Sequence, residues 1–247
     1  SNPSQTPPSE GIQVIAMHGW AGDAANWSPW RIATTELPIT WRCGERGYGG
    51  ADPVAPTWGA TGRRVVLAHS LGPHLLAPEV LAEAEAVVLL ASFGPFVPPG
   101  RGGRRLRTAL AGMAAALADG PDEAAAARRA QAMLGDFLAR AAFPDPVALL
   151  PAGPADGPVP ALARQRLRRD LERLVACEGL PAGWPTGSPV LLVEAGADAI
   201  VDPEAQERLR RSLPEAQVTR FPQAGHALLQ AAVIPAVLQW LERTLPA

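Results

Sequence analysis

The chain contains no lysine. All 22 basic residues are arginine, against 24 acidic ones, and the formal net charge is −2. Such a balance supplies no general positive field to draw the protein to nucleic acid or to an anionic membrane surface. The missing lysine goes with many glycines and prolines, 24 and 27 of them, and reads as GC-rich coding rather than as function. Cysteine is nearly absent: Cys43 and Cys177 are the only two. With no C-x-x-C pair and no Cys/His grouping at ligand spacing, a disulfide framework and a zinc module are both disfavoured, and no residue is assigned to a metal. No apolar run reaches the length of a membrane span. Residues 1–11 are polar and proline-bearing, without the apolar core of a secretory signal, so a cytoplasmic location is expected.

What is present is enough for a large core. The 247 residues are 47% hydrophobic, which suits one domain carrying an insertion. Apolar runs at residues 12–17, 39–43, 65–69 and 86–92 read as strands, with helices between them at 24–37 and 71–84. That alternation predicts a parallel sheet with right-handed crossovers. After Phe93 the texture changes to Ala/Leu/Arg-rich helical stretches broken by Pro and Gly, with helices expected at 104–118, 121–142 and 161–178. Strand patterns return at 190–194 and 217–221, separated by a helix at 203–212 and followed by an amphipathic helix at 233–244. The division expected is a core of residues 1–93 and 190–247 with a helical cap at 94–189.

The chemistry concentrates where strands end. Val65-Val66-Leu67-Ala68-His69-Ser70-Leu71-Gly72 is a buried apolar strand breaking into a serine with a small residue two positions to either side. This is a nucleophile elbow, in which a sharp turn holds the serine in a strained conformation; Ala68 stands where glycine is usual. Serine at its free pKa is a weak nucleophile and requires a base, with a third group orienting that base. His226, in Ala224-Gly225-His226, is assigned as base. Asp198, directly after a strand, is assigned as orienting acid. Asp202 and Glu194 are competitors, although Asp202 precedes Pro203 in the manner of a helix cap and Glu194 is still inside the strand. The backbone N–H groups of Trp20 and Leu71 are candidates for the oxyanion hole. Trp27 and Trp30 read as core aromatics, His18 and His69 as residues bracing their loops, and His74 as scaffold. No acidic residue lies between Glu85 and Asp119, so Arg101, Arg104, Arg105 and Arg107 make that stretch strongly positive. It is either a solvated face or a docking site for an acidic or phosphorylated partner.

His18-Gly19-Trp20, Ala68-His69-Ser70-Leu71-Gly72, Asp198 and Gly225-His226 together resemble the α/β-hydrolase superfamily over essentially the whole chain. Within it, the tryptophan after His-Gly and the Arg-rich cap after Ser92-Phe93 are similar to the pimeloyl-[acyl-carrier protein] methyl ester esterases of biotin synthesis. Met17-His18-Gly19-Trp20-Ala21-Gly22-Asp23 and residues 96–113 resemble their cyanobacterial branch. The resemblance implies an α/β-hydrolase fold with a mainly parallel sheet, and the two departures given below reduce the expected core to about six strands. It also implies a reaction without cofactor, in which a serine triad removes the methyl ester while the acyl chain stays on its carrier through phosphopantetheine. Ser70 would attack, His226 would move the proton, Asp198 would hold His226, and Trp20 and Leu71 would bind the oxyanion. Arg101, Arg104, Arg105 and Arg107 would meet the acyl-carrier protein. Two departures stand out: residues 50–64 are too few for the usual helix between the second and third strands, and little chain precedes Ile12. A generic carboxylesterase or thioesterase carries the same triad. A dehalogenase is disfavoured because the elbow residue is serine rather than aspartate, and a non-catalytic hydrolase-fold binding protein is disfavoured by the intact triad.

Overall fold

The computed structural model describes residues 11–246, so the polar segment at 1–10 lies outside the described residues. In chain order, β1 (Ile12–Met17) leads through a 3-10 turn (Ala24–Trp27) into α1 (Ser28–Ala33) and β2 (Ile39–Cys43). Next come β3 (Arg63–His69), α2 (Gly72–Leu75), α3 (Pro78–Ala82) and β4 (Ala86–Leu90). Three longer helices follow: α4 (Arg104–Ala116), α5 (Glu123–Ala142) and α6 (Ala161–Ala176). The sheet then resumes with β5 (Val190–Ala195), α7 (Pro203–Ser212) and β6 (Gln217–Phe221), and α8 (Val233–Thr244) closes the described chain.

The six strands form one all-parallel sheet in the order β2-β1-β3-β4-β5-β6, the architecture of the α/β-hydrolase fold. Central strands such as β4 and β5 are buried along their whole length, whereas the edge strands β2 and β6 alternate with exposed positions. A strand covered on both faces needs a continuous apolar run, and Ala86–Leu90 and Val190–Ala195 supply it. Side chains alternate between the faces. Ile15, Met17, Val66 and Val87 join a cluster with Leu110, Leu134, Leu167 and Leu171 of the inserted helices. Val14, Val65, Leu67 and Val88 join Trp27 and Trp30 from the α1 region and Val237 and Trp240 of α8 on the other face. Helices α4, α5 and α6 thus share an apolar core with the sheet.

Several expected elements end earlier than their periodicity predicts. The helix expected at 24–37 is a 3-10 turn plus the short α1, because Thr34 and Thr35 turn their hydroxyls back onto the carbonyls of Trp30, Arg31 and Ile32. The single helix expected at 71–84 is two, since Pro78 forces the preceding residue out of the helical region. Ala77 is accordingly extended, with ψ of 134°, and Leu76 before it is extended too, with ψ of 149°. The strand expected at 86–92 stops at Leu90, where Ala91 takes a positive φ of 46°. In the insertion, α5 starts at Glu123 because the Asp122 carboxylate caps it through the Ala125 N–H, and α6 ends at Ala176 rather than 178. Residues 50–64 carry no helix, and Val54 instead makes an isolated antiparallel bridge to Glu45.

Parallel pairing places every strand's C-terminal end at the same edge: Met17 lies beside Ala68, His69 beside Leu90, and Ala195 beside Phe221. The chain reverses its direction of travel across the sheet between β1 and β3, and the crevice at such a switch point is where open α/β sheets take ligands. The turn after β3 requires close approach. A Cβ at Gly72 would run into the Met17 carbonyl oxygen. Gly72→Ala is therefore expected to lower unfolding stability in urea by about 1–3 kcal/mol, the usual cost of overpacking. An unchanged midpoint contradicts this packing.

Candidate active site

Ser70 follows β3 directly and has φ of +56°, a conformation rarely adopted by a residue with a side chain and stable only where the surroundings enforce it. Here they do so from both sides. The Ser70 N–H donates to the Leu90 carbonyl at 2.8 Å, and the Ser92 hydroxyl donates to the Ser70 carbonyl at 2.7 Å. Gly19 lies so close that a Cβ there would sit 3.0 Å from that of Ser70.

The turn delivers the Ser70 hydroxyl to the end of the sheet, where it lies 3.0 Å from His226 Nε2. His226 Nδ1 lies 2.9 Å from Asp198 Oδ2. A carboxylate only accepts, so Nδ1 carries the proton and Nε2 is left as the acceptor for the serine hydroxyl. Asp198 Oδ1 accepts the N–H groups of Ile200 and Val201, each at 2.8 Å. Burial pushes the Asp198 carboxyl up, but His226 and these two N–H groups outweigh it and hold the carboxyl below its usual value. Asp198 and His226 sit on adjacent loops joined by the bond from the Ala197 N–H to the Ala224 carbonyl at 2.9 Å. On its other side the His226 loop is pinned to α5, since the Ala227 N–H donates to the Ala141 carbonyl at 2.9 Å.

The competing carboxylates have other partners. Asp202 caps α7 through the Glu204 N–H at 2.8 Å, and Glu194 pairs with Arg210 and Arg220. Trp20 is buried beside Ser70. Its indole N–H donates to the Leu167 carbonyl of α6 at 2.9 Å, and its ring meets Phe137 edge-on. The backbone N–H groups of Trp20 and Leu71 have no protein acceptor among the described residues, as befits donors at a loop and at the first turn of α2. Trp27 and Trp30 lie in the core, and the His74 ring bonds the Phe93 carbonyl at 2.8 Å. Arg101, Arg104, Arg105 and Arg107 stand exposed at the start of α4, and none lines the pocket over Ser70. Arg107 turns back onto the Pro98 and Gly100 carbonyls, while Asp119, the next acidic residue along, is taken by Arg164 and Arg168.

His69 does more than its motif position shows. Its Nε2–H donates to the His226 backbone carbonyl at 2.8 Å, and the two rings lie 4.8 Å apart. Burial, followed by the nearby His226, pushes the His69 pKa down to about 3, so the ring stays neutral and keeps this donor in place. His18 Nδ1 lies 2.7 Å from the Gly19 carbonyl oxygen, and its Nε2 lies 3.1 Å from the Arg46 backbone nitrogen and 3.5 Å from a Glu45 carboxylate oxygen.

Sequence reasoning missed Glu45, which joins the loops after β1 and β2. Its carboxylate accepts the Ala24 N–H at 3.0 Å and the Gly47 N–H at 2.7 Å. It also missed Asp170 on α6, which accepts a two-pronged bond from Arg46 at 2.8 and 2.7 Å and the Tyr48 hydroxyl. The one available signal was the Glu-Arg-Gly-Tyr loop itself, polar side chains placed just past the edge strand β2. Also unforeseen was the pocket wall over Ser70, built by Phe137, Leu138 and Ala141 of α5 and by residues 150–154, around a space of about 60 Å³. Among the described residues no group of three or more His, Cys, Asp or Glu is placed to hold a metal ion, and no helix is long and apolar enough to cross a membrane.

No family model matches the chain, and no curated protein matches it. Solved structures do. An esterase from Exiguobacterium antarcticum superposes with a TM-score of 0.69 at 15% identity, over 94% of this chain and 92% of that one. A thermophilic esterase from Thermogutta terrifontis gives 0.64 at 18% identity, over 95% and 91%. The esterase RhEst1 from Rhodococcus sp. ECU1013 gives 0.58 at 19% identity, over 95% and 91%. At these identities the likeness establishes a shared α/β-hydrolase fold and leaves the chemistry to the site.

The Glu45 carboxyl supplies a test of the loop scaffold. Burial raises its pKa, but contact with His18 and the N–H groups of Ala24 and Gly47 bring it down to about 2, against an ordinary 4.5. A depressed pKa stabilises the fold fully above the unfolded value and loses that stabilisation as pH falls toward the folded one. Glu45→Gln is expected to lose about 2 kcal/mol at pH 7. The gap to wild type, read from urea midpoints, should close steadily from about pH 5 toward pH 2; a gap independent of pH contradicts the assignment.

Proposed function

We propose that the protein is a serine hydrolase of carboxylic esters, with Ser70 as nucleophile, His226 as general base and Asp198 as its orienting acid. The observation that carries this reading is the unbroken chain from Ser70 Oγ to His226 Nε2 at 3.0 Å and from His226 Nδ1 to Asp198 at 2.9 Å. It begins at a serine held with φ of +56°. In the reaction the Ser70 oxygen adds to the ester carbonyl as its proton passes to His226 Nε2. The N–H groups of Trp20 and Leu71 receive the developing oxyanion. The tetrahedral intermediate collapses, His226 returns the proton to the departing alcohol, and an acyl-Ser70 ester remains. Water, deprotonated by His226, then releases the acid by the same steps in reverse.

For substrate, the resemblance carried by His18-Gly19-Trp20, the elbow and the cap opening favours the methyl ester of a pimeloyl chain on its acyl-carrier protein. A narrow space of about 60 Å³ over Ser70 suits a small group such as methyl on one side of the ester. In this reading Arg101, exposed on the 3-10 turn before α4, and Arg104, Arg105 and Arg107, exposed on the first turns of α4, meet the carrier's acidic surface or its phosphate and act on association rather than on chemistry. The second reading, a general carboxylesterase or thioesterase for small acyl substrates, is favoured by the same small pocket and by the low identity, 15–19%, to the esterases named above.

Wild type is expected to demethylate pimeloyl-carrier methyl ester, read by mass spectrometry, with the thioester to the carrier left intact. Ser70→Ala should abolish the reaction, and Asp198→Asn should slow it about a thousandfold or more. Cleavage of only a short-chain chromogenic ester keeps the triad and removes the carrier substrate; full activity in Ser70→Ala removes the mechanism. The Arg104→Glu/Arg105→Glu variant is expected to lower kcat/KM on the carrier-linked ester about tenfold, in the manner of lost electrostatic steering. An equal loss on a small soluble ester argues against docking.

A further inference from the structure

The pocket over Ser70, about 60 Å³, is smaller than the few hundred Å³ typical of ligand sites. A second space of about 350 Å³ adjoins it, and Asn26, His69, Leu150, Pro151 and Ala227 line both. From this shared wall the second space runs along the α1 side of the sheet's C-terminal edge, between the 3-10 turn before α1 and residues 227–229 that follow the histidine. Its further walls are apolar: Trp27, Leu90, Leu149 and Leu228. At its outer rim Ile32 and Leu149 are 75% and 60% exposed, apolar side chains held in water at the mouth of a groove.

We propose that this groove binds the linear alkyl chain of the ester substrate, so that the substrate class is an ester with a small group on one side of the carbonyl and an apolar chain on the other. The inference rests on the hydrolase reading above. Its own support is threefold: five wall residues in common with the Ser70 pocket, a Ser70 pocket too small for the rest of a substrate, and a mainly apolar surface on which two of the four polar side chains, Asn26 and His69, lie on the wall shared with that pocket, His18 and Ser28 being the others. Polar side chains at the carbonyl end and apolar ones beyond match an amphiphile lying with its head toward Ser70. His69 lines both spaces, and its neutral ring puts no charge beside an alkyl chain lying there.

Two variants on the exposed rim, Ile32→Asp and Leu149→Asp, alter the groove without touching the core. Hydrolysis of methyl octanoate, octyl acetate and methyl acetate separates a chain on the acyl side from one on the alcohol side. Wild type is expected to favour one long ester over methyl acetate, and each variant to reduce that preference about tenfold, on the order of a few methylenes returned to water. Binding is measured separately, by calorimetry with octanoate on Ser70→Ala, where no turnover occurs. Its dissociation constant should weaken about as much when either rim substitution is added. If esters go uncleaved while octanoate binding falls in this way, the groove stands and the hydrolase reading fails. If octanoate binding is unchanged by both substitutions, or no long ester is preferred, the groove assignment is overturned with the hydrolase intact. It is also overturned if light scattering finds a dimer that Ile32→Asp dissociates and that shuts octanoate out, because a second copy then covers the groove.

Discussion

At the end of β3 the chain reverses within a single residue, and the architecture of the site depends on that reversal. A serine at φ of +56° is unfavourable by itself. It persists because the Leu90 carbonyl and the Ser92 hydroxyl fix its backbone on both sides and because Gly19 and Gly72 let β1 and the following helix approach without side chains. The parallel sheet then does the rest of the positioning. Since β1, β3, β5 and β6 all end at one edge, the loops after them bring Trp20, Ser70, Asp198 and His226 together from segments far apart in sequence.

The groups around the triad are arranged so that protons have one place to be. Asp198 stays ionised despite its burial because His226 and two backbone N–H groups stabilise the charge. His69 stays neutral, and in that form it can hold the His226 carbonyl without adding a second positive charge beside the base. Glu45 and Asp170 serve the scaffold, since each is a carboxylate that collects donors from loops lying beyond the strands. Glu45 links the loops after β1 and β2, and Asp170 links the loop after β2 to α6 of the insertion. Truncating one partner of such a group leaves a buried charge unmatched, which is costlier than the bond itself is stabilising.

The strands and the residues of the hydrogen-bonded Ser70–His226–Asp198 chain were largely legible in the sequence because they are local signals. A fully buried parallel strand has to be an apolar run, as Val190–Ala195 is, and an elbow needs small residues at fixed offsets from its serine. Helix ends were less legible. Thr34 and Thr35 ended α1 through side-chain bonds that periodicity does not record, and Pro78 divided a helix whose apolar spacing ran on past it. Long-range ion pairs were not legible at all: nothing near Arg46 points to Asp170, 124 residues away. The arginines at the start of α4 show the converse, a conspicuous sequence feature that the fold sets on the surface apart from the pocket.

The fold alone would suit many reactions, and the chemical claim rests on whether Ser70 is activated by His226. The most direct measurement is intact-protein mass spectrometry after exposure to a fluorophosphonate, with the adduct located by peptide mapping. A single adduct on Ser70 in wild type, formed far more slowly in Asp198→Asn and absent in Ser70→Ala, is the predicted result. No adduct on Ser70, or labelling that proceeds at the wild-type rate in Asp198→Asn, would contradict it.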